Sequence, residues 1–92
     1  MDFKWDAAKN KSNKQKHGIS FEEASTVFYD PFAKLGHDPD SSDQEDRYIL
    51  IGHSKSNNLL FVVHVYKESA DVIRIVSARK ATKKEKSDFE NL

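Results

Sequence analysis

The sequence predicts an α+β fold: two N-terminal helices packed on a mainly antiparallel sheet, with a C-terminal helix. Three observations predict it. Several alternating apolar runs follow one another with short polar turns between them, which suits strands joined as hairpins. Two stretches before those runs carry helix caps and helical spacing. A third capping pattern, Thr82 with Glu85, follows the last run.

Phe3 and Trp5 alternate with Asp2 and Lys4, which predicts a short first strand. Asp6 can cap a helix running to about His17, because its carboxylate accepts backbone N–H groups left free at that end. Gly18 stands where a left-handed stop is wanted. Ser20 opens a second helix and Glu23 three residues later completes a capping box, with Ile19 placed to pack on Ala24. Phe21, Ala24, Val27 and Phe28 share one helical face, and Asp30-Pro31 ends it, since a residue before proline avoids the helical region. Residues 32–36 read as a weak strand and 37–46 as a polar loop. Residues 47–53 form a stronger strand, 54–58 a hairpin turn, 59–66 a central strand, 67–71 a turn and 72–77 the last strand. The final helix carries Phe89.

A chain of 92 residues predicts one domain, residues 1–92, with a thin core. Apolar residues make up 37% and charged residues 33%, with a mean hydropathy of -0.77, yet the apolar positions cluster, which argues against disorder. No run is long enough to cross a bilayer, and the N-terminus lacks the regions of a signal peptide; the expected location is the cytoplasm, with no membrane contact. There is no cysteine, so neither disulfides nor thiol chemistry enter.

Fifteen basic residues balance fifteen acidic ones, but they are segregated. Lys4, Lys9, Lys11, Lys14 and Lys16 lie in the first segment, and Arg74, Arg79, Lys80, Lys83, Lys84 and Lys86 in the last. Between Glu22 and Asp46 eight carboxylates face only Lys34. A local cationic surface can act despite a zero total, and a polyanion, RNA or DNA, is its natural ligand.

RNA cleavage needs a base for the ribose 2′-hydroxyl, an acid for the leaving oxygen, and cations for the developing charge. The chain offers Lys16-His17 at a helix end, Glu45 and Arg47 at a strand entrance, and Arg74 and Arg79 around the last strand. Each has a plainer alternative. His17 is the acid–base candidate by type, or it interacts with the last helix carbonyls. Lys16 is a phosphate clamp or a solvated helix residue. Arg74 shares its face with Val76, and is exposed there or paired with a carboxylate such as Glu45. Arg47 pairs with Asp46 or Glu45. Arg79 and Lys80, between strand and helix, suit anion binding at a helix start; Lys80 and Lys83 are the candidate RNA-binding lysines, although Lys83, Lys84 and Lys86 also read as a solvated face. Trp5, Tyr48, Phe61 and Tyr66 read as packing residues. His37, His53 and His64 show no metal-ligand spacing, no glycine-rich phosphate loop is present, and no elbow marks a serine nucleophile; no cofactor or metal is expected.

The ordered blocks Phe3-Lys4-Trp5-Asp6, Asn13, Lys16-His17-Gly18, Phe21-Glu22-Glu23-Ala24, Phe28 and Asp30-Pro31, then Glu45, Arg47, Ile51-Gly52 and residues 74–82 with Glu85, together resemble the BrnT-type toxins of type II toxin–antitoxin pairs. Two stretches depart from the pattern, residues 53–58 and 64–66. The resemblance implies a RelE-like fold and a metal-independent endoribonuclease that inhibits translation. It also implies a BrnA-type antitoxin with a ribbon-helix-helix part, two copies of each protein per complex, and DNA contact only through the antitoxin. Carried over residue by residue, it marks Lys16, His17, Glu45, Arg47, Arg74 and Arg79 as catalytic candidates. His17 or Glu45 would transfer protons, while the arginines and Lys16 would hold phosphate and transition-state charge. Two other readings stand beside it: a non-catalytic RNA- or protein-binding module descended from such a toxin, and an interaction domain whose acidic loop 37–46 receives a basic partner.

Overall fold

A computed structural model describes residues 1–40 and 45–91 of the chain. The middle of the acidic loop, residues 41–44, therefore lies outside the described residues. The element order is β1 (Asp2–Lys4), α1 (Ala7–His17), α2 (Phe21–Thr26), β2 (Lys34–His37), β3 (Tyr48–His53), β4 (Leu59–Lys67), β5 (Val72–Lys80) and α3 (Lys83–Glu90). The fold is α+β with one five-stranded mixed sheet, ordered β1-β5-β4-β3-β2. The hairpin-linked strands are antiparallel, whereas β1 lies parallel to β5.

The caps form as their chemistry dictates. Asp6 accepts from Lys9 N–H, and Gly18 closes α1 at φ 74°. Thr82 and Glu85 make the full reciprocal box of α3. The box expected at Ser20–Glu23 is only half made. Ser20 accepts from Glu23 N–H, but the Glu23 carboxylate turns away to accept from Ser54 Oγ at 2.7 Å and Asn58 Nδ2 at 2.8 Å. Two side-chain donors in a hairpin outcompete one backbone N–H that water can reach. Lys55 N–H adds a bond to Thr26 Oγ1, so α2 is stapled to the β3–β4 turn. After Thr26 the helix tightens into a 3-10 turn, Val27–Tyr29, ahead of Asp30-Pro31.

One face of the sheet meets α2. Ile19, Phe21, Ala24 and Val27 pack with Leu50, Leu60, Val62, Ile73, Ile75 and Ala78, all buried, and Trp5 closes this core with its ring edge-on to Phe21. Gly52 has no room for a side chain: a Cβ there would sit 2.8 Å from that of Ala33. The opposite face carries Ile49, Ile51, Phe61, Val63 and Val65, half-buried.

β5 differs most from expectation. It runs to Lys80 rather than ending at Ser77, and its register against β4 shifts at Val63/His64: Ser77 faces Val63 while Ile75 faces His64. Val76 is the extra residue of a β-bulge, so it does not simply share the face of Arg74. Beyond the bulge the alternation is reversed. Arg79 stands five positions after Arg74, and regular alternation would put them on opposite faces; the bulge puts both on the outward one.

β1 ends at Lys4, opposite Arg74, and leaves the rest of the β5 edge without a strand partner. Asn13 of α1 fills that gap. Its Nδ2 donates to the Ala78 carbonyl at 2.7 Å and to the Ile19 carbonyl at 2.9 Å, while its Oδ1 accepts from Ala78 N–H at 3.2 Å. The primary amide copies the donor and acceptor of a neighbouring strand.

Replacing Asn13 with alanine should therefore orphan buried backbone groups of Ala78 and Ile19. We expect a loss of about 2–3 kcal/mol in urea unfolding; an unchanged midpoint would show that water replaces the amide without cost.

Candidate functional site

The outward face gathers most of the candidate residues into two groups. In the first, Glu45 stands between two arginines. Its Oε2 accepts from Arg74 Nη2 at 2.6 Å, and its Oε1 accepts from Arg47 Nε and Nη2, each at 3.3 Å. The three side chains are about one-third exposed. The hydrogen bond from Arg74, foremost, holds the Glu45 carboxyl below its ordinary range. Of the alternatives open in the sequence, the structure selects the pairing of both arginines with Glu45. Lys4 lies opposite Arg74 in the register of β1, which adds a cation to this end of the sheet.

In the second group, the Arg79 guanidinium lies 4.0 Å from the centre of the Phe61 ring and donates to both Glu85 oxygens, at 2.8 and 2.9 Å. Ring and carboxylate fix its plane from two sides, an arrangement lysine could not copy. Phe61, which reads from the sequence as a packing residue, is thus also the platform of Arg79. Glu85 accepts from Thr82 N–H with the same carboxylate. That carboxylate, belonging to the chain itself, occupies the start of α3 where an external anion was expected. Arg74 and Arg79 face Val65 and Phe61 of β4, four residues apart, or roughly 13 Å along the strand.

Lys16 and His17 end α1, Lys16 exposed and His17 half-buried. His17 lies four residues after Asn13 and so on the same helical stripe. The Asn13–Ala78 clamp holds this stripe of α1 along the edge of β5. Among the described residues no hydrogen bond or ion pair joins Lys16 or His17 to either group. Lys80 and Lys83 are exposed at the β5–α3 junction. No three histidine or carboxylate side chains converge as metal ligands among the described residues, and no helix is long and apolar enough to cross a membrane.

Three contributors escaped the sequence reading. Asn13 acts on Ala78, 65 residues away, and Phe61 on Arg79 of the neighbouring strand. Glu85 reads as a cap, and nothing local shows that its second oxygen belongs to an arginine.

The Arg79 hydrogen bonds, first, hold the Glu85 carboxyl below its ordinary 4.5. A depressed carboxylate contributes stability above its unfolded pKa and loses it as pH falls through the folded one. α3 should loosen from the sheet below about pH 4.5. Protection factors of α3 amides should drop over that range, and Glu85→Gln should show lowered protection already at neutral pH.

The model for the ribonuclease toxin BrnT of type II toxin–antitoxin systems matches residues 5–85. No curated protein matches the chain. Among solved structures, the ribonuclease toxin BrnT of Brucella abortus is similar, at 25% identity and a TM-score of 0.68, over 90% of this chain and 99% of that one. The match spans both arginine groups and the clamp that positions them, and the chain belongs to the BrnT family of type II toxin–antitoxin ribonuclease toxins.

Proposed function

We propose that this chain is an endoribonuclease toxin that inhibits translation by cleaving RNA on the outward face of its sheet, and that a BrnA-type antitoxin neutralises it. The observation that carries the reading is the placement of Arg47, Arg74 and Arg79 on one open face, two of them brought there by the bulge in β5. Guanidinium groups suit phosphate because they offer a planar fork of donors. Two arginines whose strand positions lie roughly 13 Å apart can hold more than one phosphate of a single strand, with the scissile one at Arg79.

The chemistry needs no group beyond the chain and its substrate. A base removes the 2′-hydroxyl proton, the 2′-oxygen attacks phosphorus, and the 5′-oxygen departs with a proton from an acid. His17, one helical turn beyond the Asn13 clamp on the β5 edge, is our candidate for proton transfer. Glu45 stays ionised at neutral pH because Arg74 stabilises its charged form, which makes it a weak base and a better orienter of the two arginines. Lys16, Lys80 and Lys83 add charge around the phosphate path. The substrate places the work in the cytoplasm, and a complex of two toxins with two antitoxins would meet DNA only through the antitoxin.

A non-catalytic RNA- or protein-binding module is the second reading, and one observation favours it. Glu45 and Glu85 already hold the three arginines, so a phosphate must displace carboxylates in order to bind.

Purified protein should cut RNA in EDTA and leave 2′,3′-cyclic phosphate ends. Arg79→Ala should lower cutting by about 2–4 kcal/mol of transition-state stabilisation, with the fold intact by circular dichroism. Cutting at full rate in that variant would sink the assignment of Arg79, and salt-sensitive binding without product would establish the second reading. Neutralising Lys80 or Lys83 should weaken RNA binding evenly across sequences and reduce the slope of log affinity against log salt by about one each.

A further inference from the structure

The face of the sheet turned toward α2 opens at its far end into a cleft of ≈ 600 Å³. Phe28, Ala33, Leu35, Tyr48, His64 and Tyr66 line it. Two of these stand out for exposure in so small a chain: Leu35 is 66% and Tyr66 45% accessible. At the floor, His64 is only 4% exposed, and its Nδ1 has no hydrogen-bond partner. Phe28 meets the ring edge-on at 4.8 Å, and Tyr48 lies 6.2 Å away. Buried polar atoms are rarely left unsatisfied, because folding strips their water and returns nothing. The Nδ1 atom is itself enclosed, so what the open cleft presents to a partner is its exposed apolar side chains, with the His64 ring beneath them.

The charges around the cleft have one sign. Asp30 and Glu68 line it, Tyr66 donates to Asp71 at 3.2 Å, and no lysine or arginine lines it. Strand alternation produces this. Lys34 and Lys67 flank Leu35 and Tyr66 in sequence, but face Ile51 and Val72 and so belong to the outward side. At this end of the sheet two chemistries are separated, with Lys34, Lys67 and Arg74 on the outward face and carboxylates with exposed apolar groups on the other. RNA would be repelled from the second.

We propose that this cleft receives the antitoxin, through a basic amphipathic segment that seats its apolar side chains against Leu35 and Tyr66 above His64. This rests on the family assignment, which implies an antitoxin, and goes beyond it by naming where that protein binds and with what chemistry. Docking here covers Leu35 and Tyr66 and sets basic groups against Glu68 and Asp71.

The test uses the purified chain and the protein encoded beside it, titrated by calorimetry. Leu35→Arg and Glu68→Lys change exposed positions and should fold, which thermal melts verify. Each should weaken the complex, Leu35→Arg by about thirtyfold or more, while Lys34→Glu on the outward side leaves it unchanged. In the wild-type complex the His64 Nδ1 resonance should shift on binding. Full affinity in both cleft variants would overturn the proposal and leave the toxin reading standing; no complex with the wild-type chain would remove both. A chain that dimerises alone and is made monomeric by Leu35→Arg would assign the cleft to a second copy. RNA binding weakened by Glu68→Lys, with the protein complex unaffected, would assign it to substrate. Either result overturns the proposal.

Discussion

A single extra residue in β5 governs the site. Strand geometry sends neighbouring side chains to opposite faces, and an odd spacing such as that of Arg74 and Arg79 divides them. The bulge at Val76 cancels one step of that alternation, so the two cations share a face while Ile73, Ile75 and Ala78 all stay in the core. Core and site cannot both be satisfied by a regular strand here. The bulge resolves the conflict, and Asn13 then secures the strand beyond it by bonding to both backbone groups of Ala78.

Each arginine arrives with a carboxylate, and this has two consequences. Glu45 and Glu85 orient the guanidinium planes, which spares an incoming phosphate part of the ordering entropy. They also compete with it. Pairs about one-third exposed are weakly held because water screens them, so displacement by a polyanion is physically accessible. A zero net charge is consistent with such a surface. What the phosphate meets is the local arrangement of donors, and the acidic residues are mostly elsewhere in the chain.

Much of the fold was legible in sequence because its signals are local. A capping residue acts on N–H groups two or three positions away, and Gly18 answers a backbone angle at its own position; both came out as read. Strand identities followed from alternation. The pairing of Arg47 and Arg74 with Glu45 was visible only as one of several options, since charge type limits partners without choosing among them. The half-made box at Glu23 failed for the same reason: the competing donors, Ser54 and Asn58, lie more than thirty residues away.

The amino-acid order by itself determined the helix starts and stops, the apolar faces and the supply of cations, because these depend on neighbours along the chain. Only tertiary structure decided the parallel pairing of β1, the reach of β5 to Lys80, the bulge, and the seat of Arg79 on Phe61. Each of these depends on which distant backbone groups remain unpaired after the sheet assembles. Periodicity within one segment carries no record of a register shift that arises between two.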